Sequence, residues 1–299
     1  MPIPTRNGVG PSCVSLPAGP WLTVLDFLVE RMPDISRQEW TERLQVRSVL
    51  NEQGEPIQAA QAFTPHTRIF YYRHVPNEAK LPFEASIVYE DERLLVADKP
   101  HFMPVTPAGR YVQQSLLVQL KNRTGCDELV PLHRIDRETA GLVLFGKRPN
   151  ERDAYHALFR NQQIHKTYHA VAPYRAEMSW PKVHKSRLVN GEPFFRMQEV
   201  PGLANSETRI SLLRYEDASG LYQLEPVSGK RHQLRVHMMA LGLPLLGDLF
   251  YPQVLRAPDD PEDFSQPLQL LAKRISFVDP MTGIEKAFES RLHLLMRLI

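Results

Sequence analysis

The chain has 299 residues, 42% of them hydrophobic and 23% charged, with 36 Lys and Arg against 34 Asp and Glu for a net charge of +2. Two cysteines, Cys13 and Cys126, are too few for a disulfide framework or a four-ligand zinc site. No run approaches the roughly 20 apolar residues of a membrane-spanning helix and no signal peptide opens the chain, so a cytoplasmic protein with no membrane partner is expected; its near-neutral charge leaves any case for RNA to local chemistry.

Residues 1–20 are rich in proline, glycine and serine without apolar periodicity, which predicts an irregular tail. From Trp21, the residues Leu22, Leu25, Phe27 and Leu28, then Trp40 and Leu44, recur at helical spacings on either side of a break at Pro33. Ser36 is the expected cap of the second helix, with Glu39 completing a capping box. A turn at 52–55 and the β-prone run 67–72 predict a strand pair that closes a small domain over 21–80. This helix–helix–hairpin order resembles the S4 domain, a small RNA-binding module. The segment carries seven Lys and Arg against eight Asp and Glu, which lacks the surplus of an RNA-gripping face, so RNA contact and a structural cap stand as equal readings.

The larger domain, 81–299, opens on ASIVYEDERLLVADKP, two apolar runs joined by a polar turn, as in a β-hairpin. Helices are predicted over 113–123, over 151–161 and from Lys230, with strands at 141–146, 164–171, 208–213 and 221–227. The strands outnumber the helices and do not alternate regularly with them. The expected class is therefore α+β, a mostly antiparallel central sheet with flanking helices.

Three clusters carry chemistry. In PLHRIDRETAGLVLFGK, residues 131–147, Asp136 stands among His133, Arg134 and Arg137, just before a Thr-Ala-Gly turn into an apolar strand. Such neighbours keep a carboxylate ionised and place it at a strand mouth, where a nucleophile or base is useful; a solvated loop with surface ion pairs is the other reading. In IHKTYHAVAPY, strand alternation puts Lys166 and Tyr168 on one face. In SGKRHQLRVHMMALGLPLLGD, a helix from Lys230 would align Arg231 with Arg235 and bury Leu234, Met238 and Leu241. An arginine at the inner edge of that helix can hold a carboxylate bidentately. His232 and His237 fall about 140° apart on a helix and no H-E-x-x-H pattern exists, so they read as one exposed and one partly packed histidine rather than as the ligands of a metal hydrolase.

Together these segments resemble the RluA-type pseudouridine synthases, whose motifs stand here as His133-Arg134-Ile135-Asp136-Arg137-Glu138-Thr139-Ala140-Gly141, Lys166-Thr167-Tyr168, the run from Gly229 to His237, and the run from Gly242 through Pro244, Gly247 and Asp248 to Tyr251. Ile135, Ala140 and Lys230-Arg231 depart mildly from the family pattern, and 101–110 replaces a common family loop. The resemblance covers about 83–280. It implies isomerisation of uridine to pseudouridine in structured RNA, ribosomal or transfer, by a monomer without cofactor or metal. It implies Asp136 as the catalytic carboxylate, Arg235 as its ionic partner and Tyr168 as the residue that stacks on uracil and accepts a proton late. His133, Arg134, Arg137, Thr139, Lys166, Lys230, Arg231 and His232 form the expected substrate-binding set, with Arg134 filling the space vacated by the flipped base. A non-catalytic RNA-binding or ribosome-assembly factor of the same fold is the alternative. To hold a polyanion, Lys166, Arg175, Lys182, Lys185, Arg187, Arg196, Lys230 and Arg231 are expected to converge around Asp136, with the acidic stretch Asp259, Asp260, Glu262 and Asp263 on the opposite side.

Overall fold

The computed structural model describes residues 3–73, 75, 77–256 and 260–296. The chain folds into two units: 1–79 with 107–113 and 118–127, and 80–106 with 114–117 and 128–299.

In the first unit, helix α1 (Val24–Arg31) starts at a reciprocal capping box. Thr23 accepts from the Asp26 N–H, and the Asp26 carboxylate accepts from the Thr23 N–H. Helix α2 (Arg37–Gln45) is capped by Ser36 as predicted, but Glu39 does not reach back, because Arg43 holds its carboxylate at 2.5 Å. Phe27, Leu28, Trp40 and Leu44 pack into one core with Val49 and Ile69. The stretch read as an irregular tail contains strand β1 (Ser12–Ser15), which pairs antiparallel with β3 (Arg68–Tyr71); β2 (Val49–Leu50) lies on the other side of β3. A strand of four residues whose partner lies more than fifty positions away leaves little local signal.

The second unit is built on a sheet of eleven strands among the described residues. The hairpin β4 (Ser86–Glu90) and β5 (Leu94–Lys99) is followed by helix α3 (Leu116–Thr124), which belongs to the first unit from Val118 on, then by strands β6 (Val130–Pro131) and β7 (Ala140–Gly146) and helix α4 (Arg152–Arg160). Then come β8 (His165–Pro173), β9 (Lys182–Asn190), β10 (Met197–Val200), β11 (Ser206–Glu216), β12 (Ser219–Pro226), helix α5 (Gln233–Ala240), β13 (Leu270–Val278) and β14 (Glu285–Glu289). The main order is β10-β9-β11-β12-β8-β13-β7-β5-β4. Every pairing is antiparallel except β13 with β7, so the expected α+β sheet is the one observed.

Strands β5 and β7 are buried along their length; β7 is apolar throughout, and β5 is apolar until it ends in the buried Asp98 and Lys99. Tyr155 and Leu158 of α4 cover Leu94, Val96, Leu142 and Leu144, while Leu234 and Met238 of α5 cover Tyr222, Leu224 and Leu270. Helix α5 begins three residues later than predicted. His232 takes a left-handed backbone (φ 52°) at the cap, and the Gln233 side chain accepts from Ser228 Oγ at 2.7 Å and from the Lys230 N–H at 3.1 Å. Arg231 therefore lies before the helix and does not share a face with Arg235. No described helix is long and apolar enough to cross a membrane.

Candidate active site

The turn carrying Asp136 is set by the strand that follows it. Gly141 has φ +112°, and a Cβ there would meet the Ala272 carbonyl oxygen at 2.3 Å, so only glycine lets β7 lie this close to β13. Ahead of it, the buried Thr139 closes the turn by donating its N–H to the Asp136 carbonyl at 3.2 Å. Two side chains from the end of the β4–β5 hairpin grip the same turn. Lys99 Nζ donates to the carbonyls of Pro100 at 2.9 Å and Arg137 at 3.0 Å, and His101 Nδ1 donates to that of Glu138 at 2.7 Å. Burial lowers the Lys99 pKa to about 7 against the pull of Glu138 and Asp136, and burial lowers that of His101 to about 4.

Opposite Asp136, the buried α5 presents Arg235. Its Nε and Nη2 donate to the two oxygens of Asp248 at 2.8 and 2.6 Å, a bidentate fork with both side chains only 1% exposed. Asp248 Oδ1 also accepts the N–H groups of Phe250 and Tyr251 at 2.9 and 3.2 Å. The Phe250 and Tyr251 rings lie 5.0 and 5.3 Å from the guanidinium carbon. Burial opposes the Arg235 charge, but the hydrogen bonds it donates to Asp248 raise its pKa above the usual arginine value. The remaining nitrogen, Nη1, is 3.5 Å from Asp136 Oδ2. Asp136 is 26% exposed, so a fixed cation faces a carboxylate that is still open to solvent.

The sequence profile of the RNA pseudouridylate synthase family matches residues 93–240. An uncharacterized RNA pseudouridine synthase of Synechocystis sp. is 31% identical over 241 residues, which cover 76% of this chain and 79% of the relative. The dual-specificity RNA pseudouridine synthase RluA of Vibrio cholerae is 30% identical over 205 residues, covering 65% and 77%. The chain belongs to the RluA-type pseudouridine synthase family. Among solved structures, human RNA pseudouridylate synthase domain containing 1 aligns with the synthase at a TM-score of 0.56 and 22% identity, over 72% of this chain and 91% of that one, a likeness of fold.

The synthase brings Asp136, Arg235 and His232 together, with Tyr168 on β8 close enough to feel the Asp136 charge. Tyr168 is half-buried, and burial, then Asp136, raises its pKa above the phenol range, so it stands as a neutral phenol. Lys166 lies on the same strand face, with Nζ 3.5 Å from the Ser228 carbonyl and its pKa lowered by burial. His232 Nδ1 bonds the Tyr251 hydroxyl at 2.9 Å, while Nε2 is 3.9 Å from Asp136 Oδ2. Burial lowers its pKa, with Asp136 pulling the other way. Arg134 and Lys230 are exposed.

Four members of the expected substrate-binding set have structural partners within the chain. His133 accepts the Leu144 N–H at Nε2 (3.1 Å) and stacks on Phe159 at 4.9 Å; burial, then the Lys166 charge, lowers its pKa to about 3. Thr139 is buried in the turn. Arg137 pairs with Glu138 at 3.2 Å and with Glu262 at 2.6 Å. Arg231 donates to the carbonyls of Phe194 and Arg196, each at 3.0 Å. The Glu262 pair also corrects the expectation for the acidic stretch, which does not lie opposite Asp136: Glu262 is tied to the residue beside it, while Asp259 lies outside the described residues. Despite burial, Arg256 and Arg137 hold the Glu262 carboxyl below its usual range.

Neither helix histidine is exposed. His237 is fully buried, with Nδ1 on Thr208 Oγ1 at 2.9 Å and Nε2 on Ser206 and Ser186 Oγ at 3.0 and 3.1 Å. With His184 and Glu199 it forms the group of metal-capable side chains found among the described residues, their ligand atoms within 4.8 Å of one another. Hydrogen bonds already engage it, His184 to Glu199 at 2.8 Å among them.

Sequence reasoning missed Asp248, Gln233, Lys99 and His101 as positioning groups. Three stand inside quoted motifs, and their signal was a polar residue in an apolar setting. A buried arginine at Arg235 requires a carboxylate partner, but the sequence does not say that Asp248 is the one that supplies it.

Proposed function

We propose that the synthase converts uridine to pseudouridine in structured RNA, ribosomal or transfer, with Asp136 as the carboxylate that acts at the sugar. The observation carrying this reading is the placement of Arg235 Nη1 at 3.5 Å from Asp136 while Asp248 fixes the rest of the guanidinium. A preset cation holds the carboxylate aimed without reorganisation during reaction.

The reaction breaks the C1′–N1 bond, turns the uracil and joins C1′ to C5. The C5 hydrogen leaves as a proton and N1 gains one, so substrate and product are isomers. Asp136 either stabilises positive charge at C1′ as uracil leaves or adds to that carbon. Tyr168 stacks on the uracil; as a neutral phenol it accepts the C5 proton only in step with passing its own on. The target uridine must leave its stack to reach Asp136, and the exposed Arg134 is placed to fill the gap.

Two measurements test this. Pseudouridine mapping of RNA from cells with and without the protein names the site, which disappears without the enzyme; identical maps favour the non-catalytic RNA-factor reading. Purified Asp136→Asn yields no pseudouridine while its RNA affinity stays within a few-fold, and turnover above background by that variant overturns the assignment.

A further inference from the structure

The turn joining β9 to β10 reads Gly191-Glu192-Pro193-Phe194-Phe195, and adjacent phenylalanines suit a solvent-facing turn poorly unless something covers them. Phe194 is 81% exposed, yet its backbone is pinned. Arg231 holds its carbonyl at 3.0 Å, the Arg196 N–H closes the turn onto the Pro193 carbonyl at 2.8 Å, and the Arg196 side chain reaches the Pro252 carbonyl at 2.7 Å. An exposed aromatic ring on a fixed backbone is preorganised for contact.

From Phe194 a row of rings leads inward. Its centroid is 5.6 Å from Phe195, Phe195 is 5.1 Å from Phe250, and Phe250 stacks at 6.2 Å on His232. Phe250 also lies under the Arg235 guanidinium. His232 and Arg235 are the two groups that reach Asp136 Oδ2. The row therefore starts at the proposed catalytic carboxylate and ends at the surface, where the exposed Arg231 donates to the Phe194 carbonyl. A cation beside a bare ring suits a nucleic acid, whose phosphates take the charge and whose bases take the ring.

We propose that Phe194, backed by Phe195, is a stacking platform for an unpaired base of the substrate RNA next to the target uridine, an inference that rests on reading the protein as an RNA-modifying enzyme. Turning out the target exposes the face of a neighbouring base, and an aromatic ring receives such a face whatever the base is. Phe194 thus acts in capture of the opened RNA, and the chemistry is left to Asp136.

The test uses the full-length protein with in vitro transcribed ribosomal and transfer RNA. Tritium release from transcripts carrying [5-³H]uridine gives KM and kcat; anisotropy of a fluorescein-labelled transfer RNA transcript gives affinity without catalysis. Phe194→Ala is expected to raise KM by about 5- to 100-fold with kcat within a few-fold, and to weaken transcript binding by a similar factor. Phe194→Trp should restore both, and Phe194→Leu should not. Equal KM and affinity for wild type and Phe194→Ala overturn the proposal, as does full restoration by leucine, which would mean apolar contact without stacking. A wild-type dimer in sedimentation that Phe194→Ala dissolves would assign the ring to a second copy of the chain instead. If wild type releases no tritium from any transcript, the enzymatic reading fails by itself, and the anisotropy comparison still decides whether Phe194 meets RNA.

Discussion

Two carboxylates share one arginine in this molecule, and their surroundings give them opposite characters. Asp248 is 1% exposed and accepts two hydrogen bonds from Arg235 and two from backbone N–H groups. Asp136 is 26% exposed and meets the same guanidinium once, at 3.5 Å. The first carboxylate neutralises and orients a buried cation; the second receives what remains of its field and stays accessible. One short fork and one long contact separate the anchor from the proposed reactive group. The sharpest break of this comparison is to neutralise each acid in turn. Asp136→Asn should bring pseudouridine formation to background with little change in the unfolding midpoint, measured by tritium release and urea titration on the same preparation. Loss of fold in that variant would place Asp136 with Asp248 as a structural acid.

Next in size is the neighbour on the reactive side. Tyr168→Phe keeps the ring and removes the hydroxyl, and should lower kcat by about 10²- to 10⁴-fold, the range for loss of a proton-transfer group, with KM within a few-fold. A variant that keeps wild-type kcat would confine Tyr168 to stacking.

On the anchor side, Asp248→Ala leaves Arg235 charged and buried with its main partner gone. The expected cost is about 3–5 kcal/mol of stability, read from urea unfolding. A change near zero would mean that water reaches the guanidinium and that the fork is not its anchor.

The contrast also explains how much could be read in advance. The α+β sheet was legible because β7 and the first four residues of β5 are apolar and the hairpin and turn residues punctuate the strands. Asp136, Tyr168 and Arg235 stood in motifs dense enough to single out. The partner of Arg235 was not legible, since Asp248 lies thirteen positions on, beyond the end of α5, and only tertiary packing turns the two side chains toward one another. The same limit hid strand β1, whose partner is remote in sequence, and the late start of α5, where side-chain bonds from Gln233 outcompete another helical turn. The internal partners of His133 and Thr139 were hidden for the same reason, because sequence shows chemistry but not packing.

The smallest expected effect concerns the buried histidines that support the site from behind. Burial lowers the pKa of His133 and of His237 to about 3 and that of His101 to about 4; the charges of Lys166, His184 and Lys99 respectively add to this. Unfolded, each titrates near 6.5. Between the folded and unfolded values the unfolded chain holds more protons, so stability falls as pH drops from about 6.5 toward 3–4, by up to about 1.4 kcal/mol per pH unit for each histidine. Carboxylates follow at lower pH: Asp91, whose burial is outweighed by hydrogen bonds from Lys286 and Tyr89, has its pKa depressed and loses its contribution only as pH falls below the ordinary Asp value of 3.8. Lys99 acts in the other direction of the scale, its burial penalty being relieved as pH rises from about 7 to 10.5. The interval from pH 6.5 to 4.5 therefore isolates the histidines. His169 and His232, whose pKa values burial also lowers, titrate with them. Replacing His237 with Asn removes one of these titrations while keeping a polar side chain among Thr208, Ser186 and Ser206. Unfolding midpoints across that interval should decline less steeply for the variant than for wild type. Parallel lines would show that His237 is already protonated in the fold and that the acid sensitivity belongs to the other histidines.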